Sequence, residues 1–402
     1  MTFYQAIGFM CGHGAGSFVA RFLGAKSPEK AKMFAASTFF LSSLLGTLLS
    51  LAFYLNLNRV LYFLGSTKTI LPYARQYAVW ILIAGPFLSA SCTLNNLLRY
   101  EGRAMYAMIG LTTGGILNMI GDPILMFGFG MGVSGAGLST CLSQIISFLI
   151  LLSMFYIHIT VTDVSPHRIS TELSTYWEIM KVGSPSLLRQ GLNAASTILL
   201  NQQAKVYGDP AIAAMSIVGR MSFFIGACAI GTGQGMQPVI SFNYGARKYQ
   251  RVRESFHFTV KMAAGLLSVF AVVCMIFAQP IITWFRNDPE VIEIGTVALR
   301  WACVSALFQP LSVPINMMFQ SIGKSGRALF LSALRTGLCF IPLIELLPLY
   351  LGLTGIEIAQ PISDITAALI SVPFAVSFLK QLKARKEPGE IPAAPVSEKK
   401  EC

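Results

Sequence analysis

The chain has 402 residues, of which 54% are hydrophobic and 12% charged, with a formal net charge of +12. A soluble domain holds about 25% charged residues, and the apolar runs here reach the ~20 residues that a bilayer demands, so a water-soluble enzyme is excluded and an all-α polytopic membrane protein is indicated. The positive charges fall between the apolar runs and in the tail, which argues against a nucleic-acid partner and for the lipid bilayer.

Eleven spanning helices are expected, at about 3–23, 32–55, 70–99, 103–127, 133–157, 177–206, 210–242, 250–278, 290–321, 327–351 and 354–380. Several exceed the minimal spanning length, so tilt is expected. The first run has no basic segment before it, which argues against a signal peptide. Alternate connections divide the Lys and Arg unevenly. One side carries nineteen, among them Lys26, Arg99, Arg103, Arg247, Lys248 and Lys324; the other carries five, namely Arg59, Lys68, Arg75, Lys205 and Arg286. The positive-inside rule places the first set in the cytoplasm. A plasma (inner) membrane location is expected.

Within the run 103–127 lies Asp122. The only other acids in residues 1–157 are Glu29 and Glu101, both in short basic connections. A carboxylate inside an apolar span is costly and is read as functional. Asn118 precedes it by one turn and shares its face. The Gly-rich turn at 128–137 reverses the chain. Thr140 then lies as deep in the next helix as Asp122 lies in its own, roughly 7–10 Å from the turn. An acid, an amide and a hydroxyl can therefore meet at one depth. The competing reading is a satisfied buried Asp beside a kink at Pro123. The eight cysteines are scattered without a CxxC pair and the four histidines lack ligand spacing, so neither a disulfide framework nor a zinc site is indicated. His13 reads as a packing residue. Prolines at Pro86, Pro185, Pro238, Pro310, Pro314 and Pro361 are expected inside helices, where each can kink the ladder.

Residues 158–176 read as a cytoplasmic linker, 1–157 as an N-terminal lobe of five helices, 177–380 as a six-helix C-terminal lobe, and 381–402 as a disordered cytoplasmic tail. An internal repeat supports the division. Gly12-His-Gly-Ala-Gly with Gly24-Ala-Lys recurs as Gly231-Thr-Gly-Gln-Gly with Gly245-Ala-Arg, Gly102-Arg103 as Gly323-Lys324, and Gly132-x-x-Gly135 as Gly352-x-x-Gly355, at offsets of 219–221 residues. Two parallel six-helix bundles make a two-lobed transporter plan. The helix at 177–206 has no partner in the first copy, so eleven of twelve helices are expected, with the natural first helix missing. The second lobe holds Arg189, Arg220, Arg300, Arg335, Glu345, Glu357 and Asp364 in apolar runs. Internal ion pairs are the favoured reading of these, with Glu357 and Asp364 on one helix face.

Gly208-Asp-Pro-Ala-Ile-Ala-Ala, Gly219-Arg220, Gly231-x-Gly-Gln-Gly-x-Gln-Pro238 and Asn243-Tyr-Gly-Ala-Arg247 resemble the multidrug and toxic compound extrusion (MATE) family. So do Arg99-x-Glu-Gly102, Asn118-x-x-x-Asp122 and Ser139-Thr140 in the first half. The resemblance covers residues 1–380. It implies two six-helix lobes and exchange of Na⁺ or H⁺ for organic, often cationic, small molecules. It also implies a cation-coupling site on Asn118, Asp122 and Thr140, which would be the metal ligands if Na⁺ is the ion. A further Asp that the family carries on its first helix has no counterpart here. The repeat counterparts of the three are Cys339, Leu343 and Gln360, so the site belongs to one lobe. Gln190, Asn193, Arg220 and Glu357 are candidate cavity residues for amphipathic substrates. No cofactor, no enzymatic activity and a monomeric state are expected. Other readings are a lipid-linked oligosaccharide flippase of the same superfamily, which would want a larger cationic cavity, and a truncated, inactive transporter. A membrane-embedded enzyme would need paired Asp, Ser/His or metal spacings, which do not occur.

Overall fold

A computed structural model of the chain describes residues 1–63, 66–157 and 159–385, and the regular structure among them is helical throughout. The first half holds α1 (Thr2–Gly24), α2 (Pro28–Leu55), α3 (Leu57–Phe63), α4 (Leu71–Tyr100), α5 (Ala104–Pro123), which runs on as a π-helical turn (Ile124–Gly128), and α6 (Gly132–Tyr156). After a 3-10 turn (Pro166–Arg168) come α7 (Leu173–Lys205), α8 (Asp209–Gly245), α9 (Tyr249–Ile276), α10 (Ala278–Phe285), α11 (Pro289–Ala306) and α12 (Gln309–Ser321). The series ends with α13 (Ser325–Ala333), a second π-helical segment (Leu334–Cys339), α14 (Phe340–Leu351) and α15 (Leu353–Lys383).

The eleven expected spans coincide with long helical runs. By length and composition, eight helices among the described residues can cross a membrane, or nine if α11 and α12 form one span. Helices α1 (23 residues) and α7 (33 residues) also reach spanning length but are interrupted by less apolar residues, with Gly12, His13, Gly14 and Gly16 in one and Glu178, Lys181, Arg189 and Gln190 in the other. Leu44, Leu48, Leu51 and Leu55 of α2 and Val269, Val272, Val273 and Ile276 of α9 face outward and exposed, as a lipid solvent permits.

Several element ends differ from expectation for local reasons. Helix α2 starts at Pro28 rather than 32, because proline has the φ of a first helical residue and needs no N–H there. Pro310 does not sit inside a continuous helix. It occupies the first turn of α12, after a break at 307–308 where the chain bends by 49°. Two short helices, α3 and α10, were not expected. Each buries an i, i+4 pair, Leu57 with Leu61 and Ala278 with Ile282. One turn of such a pair is too brief for a periodicity signal.

Those two pairs are 221 residues apart, and the same offset recurs in the backbone. Lys26 and Arg247 both adopt a left-handed conformation (φ 57° and 58°), as do Gly102 and Gly323 (φ 80° and 79°). Gly132 and Gly352, 220 residues apart, follow with φ 55° and 61°. Asn95 donates its amide to the Ala107 carbonyl at 2.7 Å, and Asn316 to that of Ala328 at 2.8 Å. The repeat is therefore one of structure as well as sequence. One apolar core links α8–α15 with Ala204; two others occupy α1–α6, one of them reaching Ile179 of α7.

The segment 159–172 lies against the first half. Ser170 N–H donates to Ser37 Oγ at 2.8 Å, Arg168 pairs with Glu29 and with Asp163 (2.9 Å), and the Glu101 carboxylate accepts the N–H groups of Val161 and Thr162. Burial at the end of α4 raises the Glu101 pKa above the ordinary glutamate value. From residue 386 the expected tail, and at residue 158 the start of the expected linker, lie outside the described residues.

Candidate functional site

Helices α5 and α6 lie side by side and antiparallel, joined by the turn that the glycines dictate. Gly121 permits their close approach: a Cβ there would come 2.5 Å from Ser139 Oγ. At this contact the three predicted residues meet. Asn118 Nδ2 donates to Asp122 Oδ1 at 2.9 Å and to Thr140 Oγ1 at 3.2 Å. Thr140 donates in turn to the Ala136 carbonyl at 3.0 Å. Ser139 joins them, its Oγ 3.4 Å from both the Asn118 amide nitrogen and the Asn118 carbonyl. Sequence reading had Ser139 only as Thr140's neighbour. Its place opposite Gly121 is the signal that a helix-pairing argument could have used.

Thr140 and Ser139 are buried, whereas Asp122 and Asn118 keep part of their surface open. Among the described residues no Lys or Arg pairs with Asp122. The acid is thus held by an amide donor and left without a counter-charge. Immediately after it the helix changes. Pro123 has no N–H for the Met119 carbonyl, and the ladder widens to π geometry over Ile124–Gly128.

The donor set is all oxygen once the Asn118 amide turns over: a carboxylate, an amide carbonyl and two hydroxyls. Oxygen ligands of that kind suit a hard cation. As the amide stands, its N–H points toward the carboxylate. A half-turn about the last side-chain bond of Asn118 exchanges the two states.

The second half fills the related region differently. Asp364 of α15 is fully buried and paired with Arg335, Nε to Oδ1 at 2.6 Å and Nη2 to Oδ2 at 3.4 Å. Gln360 Nε2, at the repeat position of Thr140, donates to Asp364 Oδ1 at 3.0 Å, and Ser305 donates to Oδ2. Arg335 sits in the second π-helical segment. The expected internal ion pair is thus Arg335 with Asp364, while Glu357 is buried with no described polar partner. Of the candidate cavity residues, Asn193 lines a small cavity with Arg189 and Arg335. Gln190 and Glu357 are not among its lining residues, and Arg220 is exposed on α8.

The halves touch through α1. Gly24 and Gly245, 221 residues apart, cross reciprocally: a Cβ on Gly24 would lie 2.0 Å from the Phe242 carbonyl oxygen, and one on Gly245 2.1 Å from that of Arg21. Arg21 reaches the Ile322 carbonyl at 3.4 Å, and Arg99 donates to Gln234 Oε1 at 2.7 Å. His13 is buried, stacked on Phe9, and bonded through Nδ1 to Ser186 Oγ at 3.0 Å. Ser186 also accepts from Gln320 at 2.9 Å.

The MatE family model matches residues 1–124 and 185–344. The multidrug export protein MepA of Staphylococcus aureus is 28% identical over 372 residues, spanning 92% of this chain and 81% of that protein. MepA of Staphylococcus haemolyticus is 25% identical over 382 residues, spanning 95% and 84%. Among solved structures, a MATE protein in the bent conformation matches with a TM-score of 0.88 at 25% identity, over 94% of this chain and 85% of that one. An outward-facing multidrug resistance MATE family transporter of the MOP superfamily matches with a TM-score of 0.90 at 24% identity, over 96% and 86%. The family match covers well over half of the chain, and the helices it spans are those just described: this multi-pass, all-α membrane protein belongs to the MatE family.

Proposed function

We propose that the protein is a secondary antiporter of the plasma membrane that exports small amphipathic organic compounds in exchange for Na⁺ or H⁺. The observation that carries the coupling role is Asp122, a carboxylate in a membrane-embedded helix that meets Asn118 and Thr140 and has no described counter-cation. An acid so placed gains by taking up either a proton or a metal cation. The export role rests on the family and on relatives named as multidrug export proteins.

In this reading the two halves rock against each other about α1. The contacts between them named above run from mid-helix to the ends that adjoin the basic connections, which the positive-inside rule assigns to the cytoplasm. That pattern supports a state closed to the cytoplasm and open outward. Cation uptake at Asp122 then favours one arrangement of α5 and α6 over another, and the free energy of that preference couples the ion gradient to export.

The test is transport of ethidium in cells lacking other pumps, and in proteoliposomes under an imposed Na⁺ gradient or an imposed pH gradient. Asp122→Asn is expected to lower gradient-driven transport by about tenfold or more, the size of a typical coupling energy. Whichever gradient drives the unaltered protein identifies the ion. Full gradient-driven transport by Asp122→Asn would remove the coupling role from this site.

A further inference from the structure

The second-half cavity is lined by Arg189 and Asn193 of α7, Asn316 of α12, Ser332 of α13, and Arg335 and Thr336 of the π-helical segment. Its charges do not balance. Arg335 is neutralised by Asp364. Arg189 has no hydrogen-bond or salt-bridge partner among the described residues. A guanidinium stays charged at any working pH, and within a membrane a cation that lacks a partner marks a ligand or ion path. Other acids of this half do not supply one. Glu345 accepts from Gln203 at 3.3 Å, at the C-terminal end of α7 and roughly 20 Å along the helix from Arg189, and Glu357 does not line the cavity.

A second, independent observation points into the same space. Asn316 is 7% exposed and Thr336 8%. The amide nitrogen of Asn316 is used twice, on the Ala328 carbonyl at 2.8 Å and on Ser332 Oγ at 2.9 Å. Its Oδ1 has no partner, and neither has Thr336 Oγ1. Buried polar atoms are rarely left so, and each one here asks for a ligand group. The remaining wall is Ser312, whose hydroxyl donates to the Gln309 carbonyl, and the apolar Ile230, Val313 and Leu331. The cavity measures about 60 Å³. A site for a whole drug-sized molecule takes roughly 300 Å³ or more, so this one takes a head group.

We propose that this cavity binds the anionic head of an amphipathic molecule, a carboxylate or a phosphate. Arg189 pairs with the anionic oxygens and Thr336 donates its hydroxyl to them. Asn316 Oδ1 accepts an N–H or O–H next to the head, and the apolar body lies outside the cavity. The site is separate from the Asp122 cluster in residue, half and sign of charge. It adds organic acids and zwitterions to the compounds this protein handles, and it needs no ion gradient.

The experiment is equilibrium binding to the full-length protein in neutral detergent, with dansylglycine as the fluorescent probe. Its carboxylate is the head and its sulfonamide N–H the adjacent donor. The free acid is expected to bind roughly tenfold to a hundredfold more tightly than its methyl ester or than cationic dansylcadaverine, the worth of a charge-assisted contact. Arg189→Gln should lose a similar factor, and Arg189→Lys should recover part of it. Displacement by phosphatidylglycerol but not phosphatidylcholine identifies a lipid as the source of the head, and displacement by benzoate alone identifies a free acid; either supports the site. Equal binding of acid and ester, or full affinity in a folded Arg189→Gln protein, overturns it. The comparison of acid with ester needs no variant. Because no gradient is present, its outcome is independent of whether Asp122 couples transport.

Discussion

Asp122 and Asp364 show how one side-chain type takes two parts in one chain. Asp364 is fully buried and held by Arg335, Gln360 and Ser305, so its charge is spent within the protein. Asp122 keeps part of its surface open and has an amide as its partner, so its charge is available. The two should respond differently to mutation. Arg335→Ala strands a buried carboxylate and is expected to destabilise the protein by about 3–5 kcal/mol, whereas Arg335→Met combined with Asp364→Leu, which removes both charges, should cost much less. Thermal unfolding in detergent of the two variants checks this; equal losses would mean that the pair is not an isolated ionic unit. Asn118, Asp122 and Thr140 were legible in the sequence because an acid in an apolar helix is conspicuous and helical geometry fixes which neighbours share its depth. The Arg335–Asp364 pair was only half legible. Both charges could be named, but their partnership joins residues 29 apart through a π-helical segment, and no local spacing encodes that.

At the scale of elements, α1 packs closely against the second half, and its small residues allow the approach. Gly24 and Gly245 let α1 and α8 cross with backbone against backbone. Gly245→Val would drive a side chain into the Arg21 carbonyl, which a Cβ alone would meet at 2.1 Å. The clash is with main chain and cannot be relieved by a rotamer change. The expected outcome is separation of α1 from α8 at the basic end, read as a longer distance between spin labels at Lys26 and Arg247, with loss of transport. An unchanged label distance would show that the crossing yields elsewhere. The glycine motifs announced these positions in sequence, since paired motifs at a fixed offset imply paired geometry. That the two glycines face each other across the halves was not legible, because an offset carries no information about which copies touch.

For the whole molecule, the orientation proposed from the distribution of Lys and Arg puts the basic connections in the cytoplasm, and the repeat gives both halves the same sense. Single cysteines at Ser165 and Lys248 are therefore expected to react with a membrane-impermeant maleimide only after the cytoplasmic face is exposed. Those at Ser66 and Asp288 should react in intact cells. Reversal of that pattern would invert the orientation and, with it, the outward-open reading of the contacts at α1. The same two quantities, charge and hydropathy, also placed the eleven long helices to within a few residues. They missed α3 and α10, whose seven and eight residues are too few for a periodicity to register, and they did not foresee the bend between α11 and α12.

By itself the sequence determined that the chain lies in a membrane, where its helices run, that its halves are repeats and that one of them carries an acid inside an apolar span. Those properties rest on solvent preference and on the fixed pitch of a helix, both of which act along a few neighbouring residues. Only the tertiary structure decided which buried charges cancel. Arg189 and Arg335 look alike in sequence, two arginines in apolar runs, and differ because α15 brings a carboxylate to one and no described residue brings one to the other. Electrostatic pairing acts over a few ångströms in space without regard to separation along the chain, so it becomes visible only when the helices are packed.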